Sequence, residues 1–264
     1  MFPIKRVKQL NDTIFYMDVE AKRISRTAKP GQFVIVRNGE GGERIPLTIC
    51  DYDKEQGTIA IVFQVVGAET YRMSLLREGD AFTDIAGPLG RASELTETPP
   101  EELKKKRILF VAGGVGTAPV YPQVKWLHER GVSADVIVGA KTKDILILEK
   151  EMQAVAGNLY VTTDDGSYGR KDLVTAPLKE LCESATPPDR VIAIGPPVMM
   201  KFCAATTKPF GIPTFVSLNT IMIDGTGMCG GCRVSVGGRI RFVCVEGPDF
   251  DGHQVDWDNM LKRM

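Results

Sequence analysis

The sequence predicts an antiparallel β-barrel, then a doubly wound α/β domain, then a small cysteine-bearing C-terminal segment. Three observations carry that expectation. Before about residue 98, short alternating apolar runs are separated by turn formers, with little helical periodicity. From Arg107 to Pro209, apolar strands alternate with helical stretches, the pattern of a parallel sheet covered by helices. Beyond that point, three of the six cysteines crowd into one glycine-rich stretch. A chain of 264 residues suits two domains and an appendage, and the expected divisions are 1–98, 99–209 and 210–264.

In the first division the runs IFYMDVEA, QFVIVRN, TIAIVFQVV and AFTDIAG read as strands, punctuated by KPGQ, KEQG and REGD. Short strands at that spacing favour a barrel, with helix expected mainly near Ala68–Leu76. Pro99 and Pro100 mark a boundary. In the second division RILFVA, ADVIVGA, LYVTTDDGS and VIAIGPP read as parallel strands, and VYPQVKWLHER as a helix. The last division holds the cysteine loop, a VSVGGRIRFVC hairpin and a polar tail. A segment so small is expected to need an inorganic staple for stability.

Composition excludes several classes. Lys+Arg and Asp+Glu both total 33, so no net field favours nucleic acid or an anionic membrane. The run Lys104–Arg107 follows Glu101 and Glu102 and reads as a solvated lead into the second domain. No apolar run reaches 18 residues, and MFPIKRVKQL lacks the apolar core of a signal peptide. Cys50, Cys182 and Cys203 lie in apolar surroundings and read as buried thiols, which points to a reducing, cytoplasmic setting.

The richest motif is Asp224-x4-Cys229-x2-Cys232-x11-Cys244. Plant-type [2Fe–2S] proteins space four thiolates C-x4-C-x2-C…C; here aspartate takes the first position. Glycines 225, 227, 230 and 231 fill the loop and let its backbone pass close to sulfide. A Cys3Asp zinc knuckle fits the same spacing.

Gly113-Gly114-Val115-Gly116-Thr117-Ala118-Pro119 ends a strand and opens a helix, the arrangement that presents backbone N–H groups to a pyrophosphate. Asp164-Asp165-Gly166 and Gly195-Pro196, with Met199, fall at two further strand ends, where open α/β sheets place ligands. A tight strand-to-helix turn is the plain alternative. In the barrel, Arg44, Pro46, Leu47 and Thr48 combine a fixed cation, a rigid residue and a hydroxyl. Such a set suits a flavin nucleotide, the arginine on the pyrophosphate and the threonine on the ring. Gln64, Val65, Gly67, Thr70, Gly87 and Pro88 are its companions in the same barrel. His128 and His253 read as surface residues, and no catalytic side chain is assigned.

Taken together, these motifs resemble the ferredoxin–NADP reductase superfamily along essentially the whole chain. The C-terminal motif resembles the branch holding the electron-transfer subunit of dihydroorotate dehydrogenase and the small subunit of NADH-dependent reduced ferredoxin:NADP oxidoreductase, also known as a sulfide dehydrogenase subunit. Aspartate at the first ligand position, with SLNTIMIDGTGMCGGCRV and FVCVEGPDFD, looks like the latter. Leu47 stands where the superfamily often carries tyrosine, so apolar packing replaces an aromatic ring there.

The resemblance implies FAD, a [2Fe–2S] cluster and an NAD(H) site, with Asp224, Cys229, Cys232 and Cys244 as iron ligands. It also implies a larger subunit with its own FAD and [4Fe–4S] clusters, carrying the NADP and ferredoxin sites of an electron-bifurcating complex. The alternatives are a dihydroorotate dehydrogenase-type subunit and a zinc-bearing nucleotide-binding regulator without redox activity. Lys141 and Lys143 follow the second strand, where a 2′-phosphate is read, and leave NAD against NADP open on the residues alone.

Overall fold

The computed structural model describes residues 1–263. The N-terminal part is one seven-stranded antiparallel sheet: β1 (Phe2–Gln9), β2 (Ile14–Glu20), β3 (Phe33–Arg37), β4 (Ile45–Asp53), β5 (Thr58–Gln64), β6 (Ala81–Phe82) and β7 (Asp84–Leu89). Its order is β6-β1-β2-β5-β4-β3-β7. The outer strands β6 and β7 are consecutive in the chain with only Thr83 between them. The two edges are therefore drawn together and the sheet curls into a near-closed barrel. Helix α1 (Lys22–Thr27) and helix α2 (Ala68–Ser74) flank it. The second was expected near Ala68–Leu76; the first was not. β1 and β4 were also not marked by the turn signals.

β4 is the strand that shapes the barrel mouth. Ile45–Thr48 pair with β3, whereas Ile49–Asp53 pair with β5. Val62–Gln64 of β5 pair with β2. The start of β4 and the end of β5 thus diverge and leave two unpaired lips. Proline is tolerated on such an edge because its missing N–H has no ladder bond to make. Pro46 occupies that edge.

After helix α3 (Pro100–Leu103), a second seven-stranded sheet begins. It comprises β8 (Ile108–Gly113), β9 (Ala134–Ala140), β10 (Leu159–Thr163), β11 (Arg170–Lys171), β12 (Arg190–Ile194), β13 (Thr214–Ser217) and one strand from the tail. Helices α4 (Thr117–His128), α5 (Glu149–Val155), α6 (Thr175–Cys182) and α7 (Pro197–Thr207) cover it. β8 and β9 are buried along their whole length, as expected for strands sandwiched between helices.

The C-terminal segment forms the hairpin β14 (Arg233–Val236) and β15 (Arg239–Phe242), helix α8 (Val243–Glu246), β16 (Asp249–Asp251) and helix α9 (Trp257–Leu261). β16 runs antiparallel to β13 and becomes the sheet's outermost strand, giving the order β11-β10-β9-β8-β12-β13-β16. Two strands beyond residue 209 therefore belong to the nucleotide-domain sheet. Cys232, Val234, Val243 and Cys244 share a core with Leu109, Val111, Val191 and Met200 of the sheet layer and with Phe33 and Ile35 of the barrel. Besides any inorganic staple, the segment thus buries its apolar residues against both neighbours.

Two smaller expectations also change. Arg107 does not belong to a solvated run; it donates to Asp135 at 3.1 and 3.2 Å, and its backbone N–H donates to Asp189 at 2.7 Å. His253 is half-buried with Nε2 3.0 Å from the Thr207 hydroxyl, whereas His128 is exposed as expected. Cys50, Cys182 and Cys203 are indeed buried free thiols. Burial pushes Cys182 up to about 11 and Cys203 up to about 12, so both stay protonated and inert.

Candidate functional site

The glycine turn after β8 lies at the point where strand order reverses. From β8 the chain proceeds to β9 and β10 on one side, then returns to β12 on the other. The crevice of an open α/β sheet lies at that reversal. Gly113, Gly116 and Gly195 meet there because a side chain has no room. A Cβ on Gly113 would strike the Met199 sulfur, and one on Gly116 would strike the Ile194 carbonyl oxygen. A Cβ on Gly195 would lie 3.0 Å from the Gly113 nitrogen. The buried Thr117 hydroxyl donates to the Gly114 carbonyl at 2.9 Å and closes the turn. Pro119 occupies the first turn of α4, where no N–H is needed.

Pro196 and Met199 lie beside that turn, at the head of α7. Asp164, Asp165 and Gly166 do not join it; they follow β10, two strands away, on an exposed loop. There Asp165 accepts from the Ser167 hydroxyl at 2.7 Å and its N–H at 2.9 Å, which holds the carboxyl below its ordinary range. Lys141 and Lys143 are exposed, and the Lys143 ammonium stands 5.2 Å from the Tyr168 ring centre.

The turn is pressed onto the barrel. Val115, Ala118 and Tyr121 pack with Ile14, Cys50, Ala60 and Val62 in one cluster. Lys125 of α4 bonds both carboxylate oxygens of Asp51 at 2.8 Å. The barrel lips carry the residues expected to hold a flavin: Pro46, Leu47 and Thr48 on one side, Gln64 and Val65 on the other. Thr70 is buried and spends its hydroxyl on the Val66 and Gly67 N–H groups, each at 3.0 Å. Gly87 and Pro88 sit on β7, where a Cβ on Gly87 would lie 2.7 Å from Val34 Cγ1. Arg44 turns from the lip toward the C-terminal loop and donates to the carbonyls of Ile223 and Asp224. The open edge and a half-buried guanidinium fit a flavin nucleotide.

The expected iron ligands lie in one loop and at its base. Cys232 and Cys244 are buried with sulfurs 3.3 Å apart, while Cys229 is exposed. The Asp224 carboxylate neighbours the Cys229 side chain and acts on Cys244, although no group of three metal-binding side chains forms among the described residues. Asp224 accepts from the N–H groups of Thr226, Met228 and Cys229 at 2.9, 3.0 and 2.8 Å. Those bonds hold its carboxyl below the ordinary range. Burial, with Cys232 alongside, pushes Cys244 up to about 12.

The donor set nonetheless fits an iron–sulfur group. Cys229 faces the Gly231 N–H at 3.4 Å, Cys232 faces the Cys244 N–H at 3.5 Å, and the Gly227 N–H bears on Cys244. Backbone N–H groups aimed at three sulfurs and one carboxylate are the surroundings in which a protein seats an iron–sulfur group. Sequence reasoning did not find the exposed apolar rim of Ile221, Ile223, Met228 and Val245 around this loop. Apolar residues inside a glycine-rich polar stretch were the available signal.

Comparison with known proteins agrees with this geometry. Residues 219–256 match the iron–sulfur cluster binding domain of dihydroorotate dehydrogenase B, and residues 110–205 match an oxidoreductase NAD-binding domain. The Thermotoga maritima homologue of the dihydroorotate dehydrogenase B (NAD(+)) electron transfer subunit is 46% identical over 99% of this chain and 89% of its own length. The chain belongs to that electron-transfer subunit family. Within the family, an uncharacterized Clostridium beijerinckii protein is 56% identical over 100% of this chain and 89% of its own. A solved structure of the NADH-dependent reduced ferredoxin–NADP oxidoreductase, described for flavin-based electron bifurcation, superposes with a TM-score of 0.89. That match has 41% identity and covers 100% of this chain and 92% of the other.

Proposed function

We propose that this chain is the NAD(H)-linked electron-transfer subunit of a flavin-based, electron-bifurcating NADH-dependent reduced ferredoxin:NADP oxidoreductase. The observation that carries the reading is that one barrel meets both the glycine turn, through Val115 and Ala118, and the cysteine loop, through Arg44. FAD held by the barrel-lip residues Arg44, Pro46, Leu47 and Thr48 would supply the conversion between hydride chemistry with NAD(H) and single-electron exchange with a [2Fe–2S] cluster.

The residues divide that work by position. Gly113, Gly114, Gly116, Thr117 and Pro119 supply the pyrophosphate cradle, bordered by Gly195, Pro196 and Met199, while Asp164–Gly166 serve the distal part of the nucleotide. Arg44, Pro46, Leu47, Thr48, Gln64, Val65, Gly67, Thr70, Gly87 and Pro88 hold the flavin. Asp224, Cys229, Cys232 and Cys244 hold the cluster. No side chain is assigned to move a proton. The flavin, nucleotide and cluster units follow 1–98, 99–209 and 210–264, with β13 and β16 lent to the middle sheet.

The partner is a larger subunit with its own FAD and [4Fe–4S] clusters and with the NADP and ferredoxin sites. This chain has no C-x2-C-x2-C-x3-C run to hold [4Fe–4S] clusters itself. The rim of Ile221, Ile223, Met228 and Val245 around Cys229 supplies apolar surface for that partner. Six unpaired cysteines support a reducing, cytoplasmic setting.

Anaerobic addition of NADH to the purified chain tests the reading. Visible flavin and ferric-cluster bands are expected to bleach, with a reduced [2Fe–2S] signal by EPR. A colourless, zinc-containing protein would overturn it. The second reading, a dihydroorotate dehydrogenase-type subunit, is favoured by the family of the cluster segment. Asp224 separates the two. Asp224→Cys is expected to retain the cluster and shift its potential, and an unchanged spectrum and potential would remove aspartate from the ligand set.

A further inference from the structure

The residue expected to hold the flavin pyrophosphate is fastened to the cysteine loop. Arg44 Nε donates to the Ile223 carbonyl at 2.5 Å, and Nη2 donates to the Asp224 carbonyl at 3.3 Å. Arg44 directly precedes β4, on the lip of the barrel mouth. Gly225 closes the same junction: a Cβ there would lie 2.6 Å from Ile35 Cδ1 and 2.8 Å from Leu89 Cδ1, so the loop backbone rests on β3 and β7. A guanidinium carries five N–H donors in one plane. Two are taken by loop carbonyls, which leaves donors for an anion at the mouth. Peptide units are planar and trans, so pinning these two carbonyls toward Arg44 turns the following N–H groups to the opposite side.

We propose that Arg44 is a positioning residue that couples flavin occupancy to the order of the cluster loop, by holding the flavin pyrophosphate and two loop carbonyls with one guanidinium. This rests on the functional reading above. The coupling is reciprocal: bound flavin fixes the guanidinium and slows loop opening, and a seated loop pre-orients the guanidinium for flavin. Lysine keeps the charge for a phosphate, but a single ammonium lacks the fork that spans both carbonyls. Arg263 provides the control. It holds the loop's other limb through the carbonyls of Arg233 and Gly231, from beyond α9 rather than from the barrel.

The test measures chelator-driven iron release and hydrogen exchange of residues 221–231 in the full chain, with and without FAD, for wild type, Arg44→Lys and Arg263→Gln. FAD is expected to slow release about tenfold in wild type and less than about twofold in Arg44→Lys. Arg263→Gln is expected to release iron faster in both states while keeping the FAD effect. The proposal is overturned if Arg44→Lys keeps the wild-type ratio, or if Arg263→Gln loses it equally. Should Arg44→Lys not retain FAD, exchange in the flavin-free chains decides: it must be faster than wild type, and equal exchange overturns the proposal. Wild-type protein without flavin and cluster bands would instead sink the functional reading, a result distinct from retained bands with an unchanged ratio.

Discussion

In the turn after β8, Gly116 is glycine for want of space, since its Cβ would strike the Ile194 carbonyl while its φ is an ordinary −59°. In the cysteine loop, Gly227 is glycine for want of handedness: its φ is +88°, and the neighbour its Cβ would meet is the flexible Val245 side chain at 2.9 Å. The first turn is shaped from outside, by β8, β12 and the barrel packed against it. The second is shaped from within, by Asp224 gathering three N–H groups, and from its edges by Arg44 and Arg263. A turn built by packing keeps its shape without a ligand. A loop built on a carboxylate and two arginines owes its shape to charge, and a metal ion competes for that carboxylate.

Substitutions can break that contrast. Gly116→Ala should have the largest effect, because the obstacle is backbone and cannot rotate away. A loss of about 3 kcal/mol is expected in denaturant unfolding, together with loss of NADH binding. A stable variant with normal NADH affinity would show that the turn is shaped locally after all.

Asp249 sharpens the contrast at the strand that ties the cysteine segment to the sheet. Its Oδ1 is buried without a partner, and burial raises its carboxyl to about 6. The folded carboxyl thus keeps its proton to higher pH than the unfolded one. Stability falls as pH rises from about 4 to 6, and the cost is complete above that window. Asp249→Asn is expected to gain on the order of 1–2 kcal/mol at pH 7–8 and almost nothing below pH 4. A gain independent of pH would mean the carboxylate is not what strains this junction.

Gly227→Ala should have the smallest global effect, about 1 kcal/mol from the left-handed backbone alone, or a melting temperature lower by about 2–4 °C. Its local effect is faster hydrogen exchange across 224–232. A global loss matching Gly116→Ala would erase the distinction between the two turns.

The sequence showed the strand–turn–helix at Gly113–Pro119 because glycine and strand periodicity are local signals. It showed the Asp224–Cys244 spacing for the same reason. It did not show β4 as a strand, because a lip paired on one side only and interrupted by Pro46 has weak alternation. It did not show β16, whose three residues carry almost no pattern and pair only because β13 presents an open edge. Arg107 looked solvated in a run of lysines; only the fold brings Asp135 and Asp189 to it.

By itself the sequence determined the residue patterns on which the proposed chemistry rests: three thiols and a carboxylate in and beside a glycine loop, a glycine turn at a strand end, and a cation two residues before a proline. These follow from bond lengths and backbone freedom within a few residues. Tertiary structure alone decided their company. It set the glycine turn against the barrel, joined the cysteine segment to the core of both domains, and aimed Arg44 at the loop 179 residues further along the chain. Such contacts depend on how buried surfaces close over long stretches of chain, and no local pattern records them.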